Sequence, residues 1–412
     1  MSRSGKISSL ILTFCILTSF FASGCAKEHV DISFSWWGQP NREEYTLKGI
    51  EAYEREYDYV TVNPVSGSWA NYPNEYKVKM EAGLEEDVMQ INYDWLLKYS
   101  ADGNGYYDLS ELEDVINLNG YKSAELKLGT VNGKLNAIPV GLNSNIFYYN
   151  KTVFEEYGIM SVPRTWDDIF NAARIMNGEA YPLMMSQKSI MFAAVAYTEQ
   201  QTGKPFISSS GRLAFSKNDV KMLINMAAYF VEKKITPPVS QFSADFVTNG
   251  KAAGFFTWVT DADYMAKGAR ELDNVIVTGD YPGAYIYNRS GYYIKPSVLY
   301  AISVNTENPE EAGRFLNYLI NDDYFATLQG NDKGFPINDY VIRNIDKDEA
   351  SFSYDAYLRM ESDEERMQLE YPGMEDPEAI LAFERAYNAV LKGVDPDIEA
   401  AALYNELRTI WK

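Results

Sequence analysis

Residues 30–37, Val-Asp-Ile-Ser-Phe-Ser-Trp-Trp, set Val30, Ile32, Phe34 and Trp36 against Asp31, Ser33, Ser35 and Trp37, the two-residue period of a β-strand. Residues 42–57 then place Leu47, Ile50, Tyr53 and Tyr57 three or four apart, the spacing of one helix face. A β-like run follows at 59–62. Strand, helix and strand in that order predict a right-handed βαβ unit, which commits the chain to an α/β sheet with helices packed on its faces.

Trp36 continues the apolar face of the first strand and reads as core. Trp37 falls on the polar parity, directly before Gly38, and is the first residue expected to touch a ligand. A further strand at 87–92 ends in Tyr93-Asp94-Trp95. Ligands of open α/β sheets sit beyond the carboxyl ends of the strands, and both aromatic clusters lie there.

The same alternation runs on. Two β-like stretches, 131–142 and 146–149, are joined by Asn143-Ser144-Asn145 and read as one strand bent across two domains. Thr165 with Asp168 makes a partial capping box, so Trp166 reads as structural. Strands are expected at 181–185, 250–258, 274–278 and 299–304, and helices at 190–198 and 218–233. Asn308 is placed to cap a helix opening with Pro309, and helical patterning dominates after 355. With 412 residues there is chain enough for two domains. No low-complexity linker divides it, so the domains are expected to interleave.

Arg3 and Lys6 precede a mainly apolar run at 7–21, too short for an ordinary span, followed by Ala22-Ser23-Gly24-Cys25. This predicts a leader over 1–24 and a lipidated Cys25, with Ala22 standing where a lipobox usually has leucine. Ordinary signal cleavage nearby is the alternative. Cys15, the second of two cysteines, leaves with the leader, so no intrachain disulfide is expected. The formal charge is −21, and −23 without Arg3 and Lys6. Such a field repels phosphate backbones, and no basic stripe offsets it, which argues against nucleic acid. A neutral ligand suits it better than a polyanion.

His29 is the lone histidine, so His-rich metal sites and histidine-dependent triads are excluded. The stretch Gly129-Thr-Val-Asn-Gly133-Lys134 has the wrong spacing for a phosphate loop and Leu135 where Ser or Thr belongs. Among 58 Asp and Glu some pair is always close, so a glycosidase-like acid–base couple carries little weight.

From Asp31 to about Asn338 the chain resembles the extracellular solute-binding proteins of family 1, sugar-binding lipoproteins that feed ABC importers. The resemblance rests on the early Trp-Trp-Gly, EEDVMQINYDWL, VNGKLNAIPVGLNSNIFYYNK, VPRTWDDI, GKAAGFFTW, YYIKPSVLYAISVNTENPEEAGRFLNYLI and GNDKGFPIN. It implies two interleaved α/β lobes around a ligand cleft, the Venus-flytrap arrangement of periplasmic binding proteins. Hinge crossings would fall at 141–145, 295–300 and 338–346. Lobe one would hold 30–142 and 297–340, and lobe two 143–296 and 341–412.

The family's cleft aromatics correspond to Trp37 and Trp258, and the polar residues after its third strand to Tyr93 and Asp94. Flat rings cover the C–H faces of a pyranose while polar side chains serve its hydroxyl rim. Trp37, Trp69, Tyr93, Trp258 and Tyr292 are the expected platforms, and Arg42, Asp94, Asn143 and Asn145 the hydroxyl partners. Three of these have a second reading: Trp69 as a loop anchor, Tyr292 as core, and Arg42 as the start of its helix. The expected protein is a monomer on the outer face of a bacterial membrane, held by its lipid, binding an oligosaccharide and meeting ABC permease subunits. It needs no cofactor and no metal, and does not turn its ligand over. A secreted carbohydrate-active hydrolase and a peptide-binding importer component are the rivals.

Overall fold

The computed structural model describes residues 28–344, 351–362 and 368–412. The leader, Cys25 and part of the expected third crossing lie outside the described residues. The first sheet begins with β1 (Val30–Trp37), β2 (Val60–Gly67) and β3 (Val88–Ile91). A hairpin of β4 (Thr130–Val131) and β5 (Lys134–Leu135) precedes β6 (Ile138–Pro139). The second sheet is built on β7 (Gly141–Asn150), β8 (Met184–Met185), β9 (Gly254–Trp258), β10 (Ile276–Gly279) and β11 (Tyr293–Pro296). Thereafter β12 (Leu299–Ile302) returns to the first sheet, while β13 (Phe335–Pro336) and β14 (Gln368–Leu369) join the second.

In the first sheet the order is β2-β1-β3-β12-β6. β1 is parallel to β2 and β3, with the helix Pro40–Glu56 as the crossover of the βαβ unit. Ile32, Phe34 and Trp36 point into one core with Tyr53, Tyr300 and Phe315. In the second sheet the order is β14-β11-β7-β9-β8, with β10 and β13 also paired to β7. Here both faces are covered. Phe147, Tyr149 and Phe256 pack under helices that include Trp166–Met176, Gln187–Thr202 and Pro377–Leu391. Ile146, Tyr148 and Phe255 pack on the opposite side under Val259–Glu271. A continuous apolar run such as 146–149 is what a doubly covered strand requires.

The joint lies slightly earlier than the sequence suggested. The 143–145 stretch sits inside β7, and the break falls at Val140, between Pro139, which has no N–H to give, and Gly141. Three segments meet there. Val140 N donates to Val298 O at 3.0 Å, Ser297 N to Gly141 O at 2.9 Å, and Phe335 and Pro336 pair with Leu142 and Gly141. The helix Asp339–Asn344 packs on Pro309–Asn321 and Asp323–Gln329, whereas Phe352–Ser362 packs on Val259–Glu271. The helices ending at Asn344 and beginning at Phe352 therefore pack on different bodies, and the expected crossing at 338–346 runs into residues outside those described. The strand expected at 181–185 shrinks to β8 plus a bridge from Tyr181 to Ala252. Thr165 caps as expected, and Trp166 Nε1 donates to buried Gln200 at 2.7 Å. Asn308 makes no side-chain cap, so Pro309 and the acidic first turn alone serve that end.

Where β11 pairs with β14, a charged cluster is buried. Lys295 Nζ and Lys188 Nζ both donate to the Glu375 carboxylate. Burial works against ionising Glu375, but the two lysines outweigh it and hold its pKa below the usual range. Glu370, only 1% exposed, is pushed well above that range by burial and by Glu375.

Two outcomes follow from this junction. A Cβ on Gly141 would lie 2.7 Å from Phe335 O and 2.9 Å from Lys333 O, both backbone atoms. Gly141→Ala should therefore cost about 1–3 kcal/mol in urea unfolding, the usual cost of overpacking; an unchanged midpoint would mean that the crossing segments part freely. The fold raises the Glu370 pKa above its ordinary value, so Glu370 subtracts stability as pH rises past that ordinary value. Glu370→Gln should melt higher than the parent at pH 8, with the gain vanishing by pH 4. A gain independent of pH would remove the titration argument.

Candidate functional site

Between the two sheets lies a cleft of about 530 Å³. Its first wall comes from the carboxyl end of β1 (Trp37, Gly38, Gln39), from Arg42, and from Ser68, Trp69 and Asn92 after β2 and β3. The opposite wall is Trp258 at the end of β9 with Thr260 and Asp261, together with Ser186, Lys188 and Glu375. The floor is the junction itself: Asn143, Lys295, Ser297, Val298, Asp332 and Lys333. The volume falls in the range of small-ligand sites, roughly 300–1,000 Å³.

The tryptophans of the first wall support one another. Trp37 is 9% exposed and its ring lies 5.1 Å from Trp69, 5.4 Å from Tyr72 and 5.6 Å from Trp95. Trp69 is 49% exposed and nearly parallel to Trp95, so it is the open surface of this stack. Trp37 is thus both cleft wall and core. On the far side Trp258 is half-buried, braced by the edge of Phe192, with Lys295 Nζ 4.3 Å over its ring.

Arg42 belongs to its helix and also to the cleft. Its Nε donates to Asp332 Oδ2 at 2.6 Å, one terminal nitrogen to Asp332 O at 2.9 Å and the other to Trp37 O at 3.1 Å. Burial opposes its charge, but Tyr45 and Asp332 more than compensate and its pKa is raised. The guanidinium is a clamp between β1 and the third segment of the junction and is largely spent on that task. Gly38 makes room for it, since a Cβ there would fall 2.4 Å from Arg42 Cδ.

Of the nine expected ligand residues, Trp37, Arg42, Trp69, Asn143 and Trp258 line this cleft. Asn143 donates to Thr260 Oγ1 at 3.1 Å, which ties the floor to the second wall. The other four are placed elsewhere. Tyr93 is buried and lines a separate pocket of about 580 Å³ with Arg289, Glu370 and Tyr371. Asp94 accepts from Asn92 at 2.6 Å behind the wall, its pKa raised by burial and by Glu375. Asn145 is buried opposite Trp258 in the β7–β9 ladder, its side-chain oxygen and nitrogen both without a hydrogen-bond partner among the described residues. Tyr292 takes the core alternative: its ring packs on Tyr281, whose backbone N–H it accepts.

Sequence reasoning missed the charges. Lys188, Asp261, Lys295, Asp332, Lys333 and Glu375 all face the cleft. Two had a signal available: Lys295 interrupts the β-like Tyr-Tyr-Ile-Lys-Pro run, and Lys333 stands in the Gly-Asn-Asp-Lys-Gly stretch beside the crossing. Glu375 lies in a loop that no periodicity marks. The oppositely shifted Glu370 and Glu375 do not form an acid–base couple across one ligand, because Glu375 faces the cleft and Glu370 the separate pocket.

Comparison with known proteins bears on the fold and the family. A periplasmic solute-binding protein of Pectobacterium atrosepticum superposes with a TM-score of 0.84 at 25% identity, covering 93% of this chain and 100% of that one. A periplasmic oligogalacturonide-binding protein of Yersinia enterocolitica, solved with saturated digalacturonic acid, gives a TM-score of 0.82 at 24% identity over 93% of this chain and all of its own. A putative binding protein of Brucella abortus is 24% identical over 318 residues, 72% of this chain and 74% of the relative. Residues 39–324 match the family profile described as bacterial extracellular solute-binding protein, and the chain belongs to that family.

Proposed function

We propose that this protein is the substrate-binding lipoprotein of a carbohydrate ABC importer, anchored through Cys25 on the outer face of the membrane. It captures an oligosaccharide without turning it over and presents the closed form to the permease. Lobe one comprises 30–140 with 297–344, and lobe two 141–296 with 351–362 and 368–412.

The observation that carries this reading is the pair of opposed indole walls, Trp37 with Trp69 and Trp258, across a floor of polar side chains. Rings give apolar area to sugar faces, at roughly 0.5–1.5 kcal/mol per contact beyond area burial if aromatic pairs are a guide. Asn143, Gln39, Asn92, Thr260 and Asp261 supply donors and acceptors for hydroxyls. A ligand touching both walls favours the closed arrangement, since only there are both sets of contacts made. The ligand of the Yersinia relative, an oligosaccharide, supports the same class.

A thermal-shift panel of oligosaccharides and peptides, followed by calorimetry, tests the class. Sugars should raise the melting temperature and peptides should not. Overnight incubation should leave the sugar intact on a chromatogram; shortened products would favour a hydrolase. Trp69→Ala isolates the platform, because Trp69 is half exposed and contributes little to the core. It should weaken sugar binding about tenfold, roughly 1.4 kcal/mol, with little change in melting temperature. Trp37→Ala should weaken binding too, but with a lower melting temperature, because that ring also fills the core. Unchanged affinity in Trp69→Ala would remove this wall from the site.

A further inference from the structure

Four cations line the cleft, and three of them are ion-paired. Arg42 holds Asp332. Lys188 and Lys295 share Glu375. Lys333 is the exception: among the described residues no carboxylate lies within ion-pair distance of its Nζ. Its neighbour Asp332 is engaged by Arg42 and by the Tyr45 hydroxyl, at 2.6 and 2.9 Å. Lys333 is 1% exposed, with its Nζ donating to the Tyr300 hydroxyl and standing 4.7 Å from the Tyr300 ring and 5.9 Å from the Tyr45 ring. An ammonium has three donors, and one phenol oxygen satisfies one of them.

A buried charge without a counter-charge is expensive, so a lysine here either gives up its proton or waits for an anion. Burial and Arg42 do push the Lys333 pKa well down, against Asp332. Tyr45 and Tyr300 also face it, with Tyr121 beside Tyr300. The remaining route to a matched charge is the cleft, whose wall Lys333 forms together with Trp37 and Asp332.

We propose that Lys333 is the carboxylate subsite of the cleft, so that the captured sugar carries an acidic group, as a uronic acid does. This rests on the carbohydrate reading above. The pyranose face meets the tryptophan wall while its carboxylate accepts from the Lys333 ammonium. The carboxylate supplies the missing counter-charge, and the lysine takes up a proton as the ligand enters. The overall charge of −21 does not forbid this. Surface charges are screened over about 8 Å at physiological salt, whereas a buried ammonium in direct contact is not.

Calorimetry with digalacturonate and dimannuronate, each beside its methyl ester and beside maltose as a neutral disaccharide, tests it. At least one acid should bind about tenfold or more tightly than its own ester. Repeating the titration in buffers of different ionisation enthalpy should reveal proton uptake, with affinity falling as pH rises. In Lys333→Met the difference between acid and ester should collapse. Should that variant fail to fold, the acid-to-ester ratio and the proton count of the parent protein decide on their own. Equal binding of acid and ester, or binding of maltose alone, overturns the subsite and leaves the carbohydrate reading standing. If neither these sugars nor the wider oligosaccharide panel bind, both fall together.

Discussion

The hydrogen-bonded junction of three chain segments, at 139–142, 296–299 and 333–336, is what the rest of the molecule depends on. Two of the segments form one antiparallel ribbon that begins in the first sheet and ends in the second. Leu299 pairs with Pro139 on one side of the break and Pro296 with Leu142 on the other. The third segment is laid against the same ribbon at Gly141 and Leu142. Because two of these segments cross between the sheets and the third is backbone-paired to one of them, a rotation of one sheet against the other must bend the paired stretch as a unit. That is how a few short strands can join two separately packed cores without a linker.

The same segments form the floor of the cleft. Asn143, Lys295, Ser297 and Lys333 are all residues of the crossings or their immediate neighbours. Ser297 Oγ donates to Lys333 O, and Arg42 binds the adjacent Asp332 through side chain and backbone alike. Side chains that line the cleft and backbone that joins the two sheets are therefore the same short stretches of chain. Strong electrostatics in the cleft is a consequence of this economy. Lys295, Glu375 and Lys333 are buried because the junction is buried, and a buried charge needs a partner from the protein or from the ligand.

Much of the architecture was legible because the patterns are strong. Alternation at 30–37, helical spacing at 42–57 and the apolar run at 146–149 each correspond to the element they predicted. The Thr165 cap was readable because its chemistry is local. The site was legible only in part, for a physical reason. Trp37 and Trp258 are the last residues of their strands, so their position at the end of a sheet can be inferred from the strand. Whether a loop tyrosine such as Tyr292 faces a cleft or a core depends on what lies across from it, and its neighbour Tyr281 is eleven positions away in an irregular stretch. Asn143 and Asn145 lie on the same parity of β7, yet Asn143 reaches the cleft and Asn145 does not. Strand parity cannot distinguish them, because Asn143 is paired with Lys295 of β11 and Asn145 with Trp258 of β9.

The charged residues show most sharply where pattern reading stops. A lysine in sequence looks like surface, and the strongly negative composition suggested a neutral partner. Composition reports the mean field, however, and binding is decided by the few groups that lose water together. At Lys333 the local balance is opposite in sign to the global one, because Arg42 and Tyr45 have taken the nearest carboxylate. A ligand carboxylate arriving there would touch the third segment of the junction directly, and the Arg42 clamp on Asp332 would carry that contact to the end of β1 beside Trp37. Charge recognition, ring stacking and hinge position are then one coupled event, linked through two adjacent residues of a single segment.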